Sequence, residues 1–484
     1  MKLPVHFHSM YLPAFSTMAH IKITKDGFIS IIAHSFKQLS SLMKLFYKSL
    51  PALMVLLCYS CQDKTLEMEC ESILSSPQIN ANALRKHVEI LADDNMFGRW
   101  LEYGGETKAA NYIKEEMQKI GLLPMGQDYL VPFFLVSSTP SEINVTLNDR
   151  VIPPEDIILS PLNTSGQFTK SDLIHTRVFS SQSSFQSDYS SLINRNNTTT
   201  RNANILVLVP EVHRQEFNEA QKQWKKFLHH PGVAFIGGKW PLWFGENNII
   251  FVLTNDTQVD EFSCSYTYSN FPMNNVVGVL PGKSKPEEIV IYSAHFDHLG
   301  VFSGRPDSIA NGANDNASGV AALLAIAEFY SNRNENDRTL WFVGFNAEEI
   351  GLRGAIEFSS QLPINPSNIK ALFNLDMLAN PIADEGNAYL VGYERTTIGQ
   401  EIENHLKCST FKILSDKNIT SFNNRMDHKP FFDIGIKAHS ITTYSGDNYP
   451  QYHDLDDEID KIDFTVLEQV TKAIILGTQI YISD

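Results

Sequence analysis

The sequence predicts an α/β protein, a mixed central sheet with helices on both faces, plus an inserted β-rich domain. Three observations predict it. From Asn274 onward β-like runs alternate with helical stretches, the pattern of helices packed on a sheet. Between about Val131 and Asn270 the character changes to short apolar runs, Ile205 to Val209, Val233 to Ile236 and Ile249 to Leu253, separated by Ser/Asn-rich stretches such as Ser180 to Thr200. Upstream, Asn82 to Asp93 and Glu106 to Ile120 repeat apolar residues at three and four, the period of a helix with one buried face.

In chain order, Ala109, Ile113, Met117 and Ile120 form one helical stripe closed by Gly121 and Pro124. Strands are expected at Val276 to Leu280, Glu288 to Ala294, Leu340 to Phe345, Ile369 to Leu375, Tyr389 to Val391, Phe411 to Leu414 and Ala438 to Thr442. Helices are expected at Ser318 to Tyr330, after Gly351, and around Ile398 to Leu406. Phe464 to Ile482, behind Asp463 as N-cap, reads as an amphipathic helix. The domain boundaries that follow are 81–130 and 271–484 for the two parts of the main domain and 131–270 for the insertion.

Composition narrows the partners. The 484 residues carry 39 Lys+Arg against 55 Asp+Glu, a formal charge of −16. The first sixty residues hold six of the Lys and one Asp, so the remainder stands at 33 against 54, a net −21. Nucleic-acid binding depends on basic clusters that release counterions, and no basic run of five occurs, so a peptide or small molecule is the expected partner. Five cysteines form no CxxC pair beyond Cys58/Cys61, which excludes a zinc ribbon and a thioredoxin motif. No G-x-S-x-G elbow is present.

One stretch reads as a targeting segment. Met43 to Lys48 is a charged n-region, Leu50 to Leu57 a short apolar run, and Cys58-Tyr59-Ser60-Cys61 follows. The apolar run is too short for the roughly 30 Å of a bilayer core. It resembles a bacterial lipoprotein signal over 43–60, with Cys61 lipidated as the only membrane contact, 1–42 an upstream extension and 61–80 a solvated tether. An exported protein, lipid-anchored in the cell envelope, is the expectation; a plain secretory signal is the alternative.

Chemistry-bearing residues gather where the expected strands end. Glu288 to Ala294 runs into His295-Phe296-Asp297-His298, Leu340 to Phe345 into Asn346-Ala347-Glu348-Glu349, and Ile369 to Leu375 into Asp376; Ala438 to Thr442 precedes a loop with Tyr452-His453-Asp454. Between the first two lies Gly312-Ala313-Asn314-Asp315-Asn316-Ala317-Ser318-Gly319. Each residue alone has an ordinary reading as a turn, cap or solvated side chain. Together, imidazole and carboxylate without thiol suit zinc, and the carboxylates outnumber what one tetrahedral ion takes up. Two ions sharing a carboxylate fit better.

At these residues the sequence resembles the zinc-dependent exopeptidases of peptidase family M28, the di-zinc aminopeptidases of clan MH. The resemblance covers about Leu84 to Leu122 weakly and Asn274 to Asp460 well. It implies a zinc-exopeptidase fold, two zinc ions per chain and peptide substrates. It also implies that His295 and Asp376 bind one zinc, Glu349 and His453 the other, and Asp315 bridges them. Glu348 would be the general base, Asp297 would hold the tautomer of His295, and Tyr452 would stabilise the oxyanion, a buried structural tyrosine being the alternative. Arg425-Met426-Asp427-His428-Lys429-Pro430-Phe431 is similar to a family stretch that walls the substrate pocket, with Met426 where serine is usual. Asp454-Leu455 replaces a frequent Thr-Pro, and Ala379 stands where glycine often follows. A glutaminyl cyclase, a carboxypeptidase and a receptor-like binding protein are the competing readings on the same fold.

Overall fold

In the computed structural model Val290, Tyr292 and Ala294 are buried against one layer of helices and Ile289 and Ile291 against another. A strand with both sets of alternate side chains buried lies inside a sheet covered on both faces. The structure describes residues 70–484 apart from 74, 77–78, 161–164, 183, 189–203, 227–247, 303, 305–306, 383–385, 417–418 and 484. The extension at 1–42, the signal at 43–60, Cys61 and the run Val233 to Ile236 lie outside the described residues.

The main strands are β1 (Leu130–Leu147), β6 (Phe262–Leu280), β7 (Lys285–His295), β8 (Arg338–Phe345), β9 (Ile369–Leu375), β10 (Ala388–Val391), β11 (Ile413–Ser415) and β12 (Ala438–Thr442), in the order β11-β10-β12-β9-β7-β8-β6-β1. β8, β7, β9 and β12 run parallel. β6 is antiparallel to β8, β1 to β6 and β10 to β12, so the sheet is mixed, as expected. Helices α1 (Ala81–Leu91), α2 (Gly105–Ile120), α4 (Gly319–Arg333), α6 (Ile398–His405) and α8 (Phe464–Thr478) cover one face; α5 (Arg353–Ser360) and α7 (His428–Asp433) cover the other. The bounds follow local chemistry. Asn80 caps α1 by accepting the amides of Asn82 and Ala83, Gly121 ends α2 at φ 86°, and Asp463 caps α8 by accepting the amides of Thr465 and Val466.

Two expectations change. The last helix is not amphipathic over its length, because Ala473 to Thr478 are all buried where it packs on α1, α4 and α6. The described end of the 61–80 tether is not solvated: residues 70–73 are helical, Cys70 and Ile73 are buried in the main core, and Cys70 forms a disulfide with Cys408. Cys264, the third cysteine in the described residues, is buried and unpaired.

The insertion is carried on β1 and β6, whose far halves extend beyond the main sheet. Its own sheet has β2 (Ile157–Ser160), β5 (Asn248–Leu253), β4 (Asn204–Val209) and β3 (His175–Val178) in that order, with the last three parallel. Phe217 and Ala220 of α3 (Arg214–Lys226) pack on Val207 and Phe251. At its near end the ribbon touches the main domain through Phe133, Leu135 and Met273, which pack on Ala347. No helix among the described residues is long and apolar enough to cross a membrane.

The disulfide closes a loop of 338 residues, so it restricts the unfolded chain strongly. Cys408→Ser is expected to lower unfolding stability by about 2–4 kcal/mol in denaturant titration; an unchanged midpoint would show that the cross-link adds nothing.

Candidate active site

The parallel strands place their carboxyl ends at one edge, where reactive groups of α/β sheets collect. His295 closes β7 level with Phe345 of β8, Glu348 and Glu349 follow three and four residues beyond Phe345, and Asp376 directly follows β9. Asp315 arrives from the loop that opens α4. In that loop Gly312 adopts φ 58°, and a Cβ there would lie 2.2 Å from the Asp315 carbonyl, so only glycine fits. The flanking asparagines tie the loop to the exit of β9. Asn316 Oδ1 accepts the amide of Met377 at 3.1 Å, its Nδ2 donates to the Leu375 carbonyl at 2.9 Å, and Asn314 Oδ1 accepts the amide of Ala379 at 3.0 Å.

These elements bring all five expected ligands together. Asp315 Oδ1 lies 3.3 Å from His295 Nε2, which is 3.7 Å from Asp376 Oδ1. Asp315 Oδ2 lies 3.3 Å from His453 Nε2, which is 3.1 Å from Glu349 Oε2. Two ligand atoms about 2.0–2.1 Å from a tetrahedral zinc stand roughly 3.3 Å apart, so the spacing suits a zinc in each group. Asp315 offers one oxygen to each. His295, Asp315 and Asp376 present ligand atoms within 4.8 Å of one another, as do His298, Asp315 and Glu349. The residues present fit a two-metal centre.

Electrostatics follow from burying so many carboxylates. Burial disfavours the charged form of His295, yet Glu348, Asp297, Asp315 and Asp376 outweigh it and hold its pKa well above the usual imidazole range. His453 is raised in the same way by Glu349 and Asp315 against its burial. Burial opposes ionisation of Glu349 too, but His453 and His298 bring its pKa down to about 2. Glu348 goes the other way: burial, with Glu349, Asp427 and Asp376 nearby, pushes it well above the carboxylate range. It lines the same cleft as His295, Asp315, Asp376 and His453.

The surroundings of Asp297 and Tyr452 bear on their expected roles. The Asp297 carboxylate stands 3.7 Å from His295 Nδ1, whose hydrogen-bond partner is the Asp297 backbone carbonyl at 3.2 Å. The carboxylate itself accepts the amides of Glu348 at 3.0 Å and Glu349 at 3.2 Å, orienting the loop that carries both. Tyr452 lines the cleft and stacks on the His453 ring at 3.9 Å between centroids, with its hydroxyl 3.3 Å from Arg425 Nη2. Position alone therefore admits both of its readings. Met426 and Arg425 do line the cleft, with Phe422 and Tyr444.

Three participants had no assigned role. His298 is fully buried and hydrogen-bonds Glu349 Oε1 through Nδ1 at 2.9 Å; its place one residue after Asp297 was the available signal. Asp457 accepts the amides of Asn314 at 2.8 Å and Asp315 at 2.9 Å, so it orients the bridging loop from 142 residues away. Asp427 is fully buried with no hydrogen-bond partner among the described residues, and burial raises its pKa well above the usual range.

A mixed α/β sheet whose strand ends converge on a carboxylate shared by two donor groups has the architecture of a two-metal site. Residues 275–477 match the model of Peptidase family M28. The aminopeptidase YwaD of Bacillus subtilis is 26% identical over 211 residues, 42% of this chain and 43% of that protein. A probable zinc metalloprotease of Pyrenophora teres is 33% identical over 118 residues, 24% of this chain and 25% of that protein. The chain thus spans less than half the length of either relative. Among solved structures, BSAP, a zinc aminopeptidase from Bacillus subtilis, aligns over 84% of this chain and 96% of its own, with a TM-score of 0.50 and 17% identity, which shows a shared fold.

Because the donor cluster is buried and acidic, zinc should bind the folded chain far better than the unfolded one. At free zinc 100-fold above Kd the expected gain is about 2.7 kcal/mol per site. Thermal unfolding with chelator and after zinc readdition checks this; equal stability in both would contradict the assigned donor set.

Proposed function

We propose that the protein is a zinc-dependent exopeptidase that removes N-terminal residues from peptides, with two zinc ions per chain. The observation that carries this is the division of Asp315 between two donor groups, with Glu348 lining the same cleft and belonging to neither. The names of the relatives, an aminopeptidase and a probable zinc metalloprotease, support the same class.

The residues divide the work as follows. His295 and Asp376 would hold one zinc and Glu349 and His453 the other, with Asp315 contributing an oxygen to each. When bound, the zinc pair would supply Lewis-acid polarisation of the scissile carbonyl and would lower the pKa of a water toward neutrality. Glu348, lining the cleft without belonging to either donor group, would take a proton from the attacking water and deliver it to the leaving amine. The Tyr452 hydroxyl would donate to the oxyanion, a role supported by its position in the cleft beside Arg425. Met377, Phe422, Met426 and Tyr444 give the cleft apolar walls for a side chain.

We also propose export, with the envelope anchor at Cys61. The Cys70–Cys408 disulfide supports this, since such bonds persist in oxidising compartments. Mass spectrometry of the membrane-extracted protein should find a lipidated N-terminal Cys61; a peptide containing residues before it in the mature protein would refute the anchor.

Glu348→Gln is expected to retain both zinc ions while kcat falls by about 10²–10⁴. The same assay should show cleavage of peptides with a free α-amino group and none of their N-acetylated forms. Near-normal turnover by the variant would remove Glu348 as the base. Equal cleavage of blocked and free peptides would point to an endopeptidase or carboxypeptidase, and a single zinc with Asp315 uninvolved to the cyclase reading.

A further inference from the structure

We infer that Arg99 is a positioning residue for the metal centre: its guanidinium clamps the loop after His295 to the loop that presents Asp315. The inference rests on the two-metal reading above. Arg99 has none of its side chain exposed to solvent, although an unpaired buried guanidinium is among the most unfavourable groups to desolvate. Its Nε donates to the Phe296 carbonyl at 2.7 Å, Nη1 to Leu91 at 2.8 Å and Asn311 at 2.5 Å, and Nη2 to Gly312 at 2.8 Å and Asp315 at 3.2 Å. Five carbonyls meet the five N–H donors of arginine. One lies between His295 and Asp297, three belong to the Asp315 loop, and the fifth ends α1. The backbone completes the clamp, since the His298 amide donates to the Arg99 carbonyl at 3.4 Å.

The chain is shaped to deliver this side chain. Phe97, Gly98 and Arg99 take φ of 49°, 58° and 49° in succession, an arrangement non-glycine residues adopt only when their surroundings enforce it. A Cβ on Gly98 would lie 2.5 Å from the Ala310 carbonyl and 2.7 Å from that of Gly300, so the segment threads tightly over the hairpin joining the two clamped loops. Asp297, Asp315, Glu349 and Asp457 surround the guanidinium electrostatically, which favours its burial here. Lysine cannot substitute fully, because three donors on a point charge cannot span five carbonyls. Without the fork, His295 and Asp315 are no longer held at the separation a shared zinc requires.

The test measures zinc affinity of the intact metal-free chain by competition with a chromogenic chelator, for wild type and Arg99→Lys, with Cys408→Ser as a destabilised control. Arg99→Lys should bind zinc about 10–100-fold more weakly, the loss typical when a group supporting metal ligands is removed. Its kcat/KM should recover toward wild type at saturating zinc, and Cys408→Ser should keep wild-type affinity. Linkage supplies a readout that needs no variant: if the clamp favours zinc, zinc favours the clamp, so adding zinc should slow amide hydrogen exchange at 94–99 in the wild type. Wild-type zinc affinity in Arg99→Lys overturns the inference, as does exchange at 94–99 that zinc leaves unchanged, which alone decides if the variant fails to fold. Wild type that binds fewer than two zinc ions, or cleaves no peptide, defeats the functional reading instead.

Discussion

Seven carboxylates, those of Asp297, Asp315, Glu348, Glu349, Asp376, Asp427 and Asp457, converge at one edge of the sheet, and the surrounding structure answers to the energy of holding them away from water. Desolvated charge is tolerated only where it is paired or hydrogen-bonded. Asp297 and Asp457 are each satisfied by two backbone amides, and both pairs of amides lie in loops that carry ligands. Asp315, Glu349 and Asp376 face imidazoles. Asp427 has no partner among the described residues and shifts toward its neutral form. The cluster is thus partly neutralised from within, and the remaining negative potential suits a divalent cation.

Backbone strain sits at the same place. Ala347 before Glu348, Met377 after Asp376, and His453 itself adopt positive φ of 59°, 53° and 57°, conformations that cost of order 1 kcal/mol or more for residues with a side chain. Two of the three are held by neighbouring side chains: Asn346 Oδ1 accepts the Ala347 amide, and the Thr443 hydroxyl donates to the Met377 carbonyl at 2.7 Å. The sharp turns direct ligand side chains out of the strand line and into the cleft.

Beneath the cleft the sheet itself is polar. Ser293, Asn374 and Ser440 stand opposite one another on β7, β9 and β12, linked by hydrogen bonds of 2.9 and 3.0 Å and continued by His428 at 2.8 Å. Two residues further along the same face come His295 and Asp376, so three strands are pinned in register where the ligands leave them. The insertion contributes to the same support, since Phe133, Leu135 and Met273 pack on Ala347 at the base of the Glu348 loop.

The alternation of strands and helices, the cap Asp463, and the ligand residues at successive strand ends were readable in the sequence, because each depends on residue type and short-range spacing. What required tertiary structure depends on partners far along the chain. Asp457 acts 142 residues from Asp315, and the Arg99 fork reaches carbonyls up to 216 residues away. Asp297, beside the His295 imidazole as expected, also accepts the amides of a loop 51 residues on. The burial of the last helix on most sides, and the docking of Cys70, follow from which elements surround them. Local pattern determines which groups stand at a strand end; only the packed sheet determines which of them share an oxygen, a proton or a metal, because that is set by distances between strands brought together by the fold.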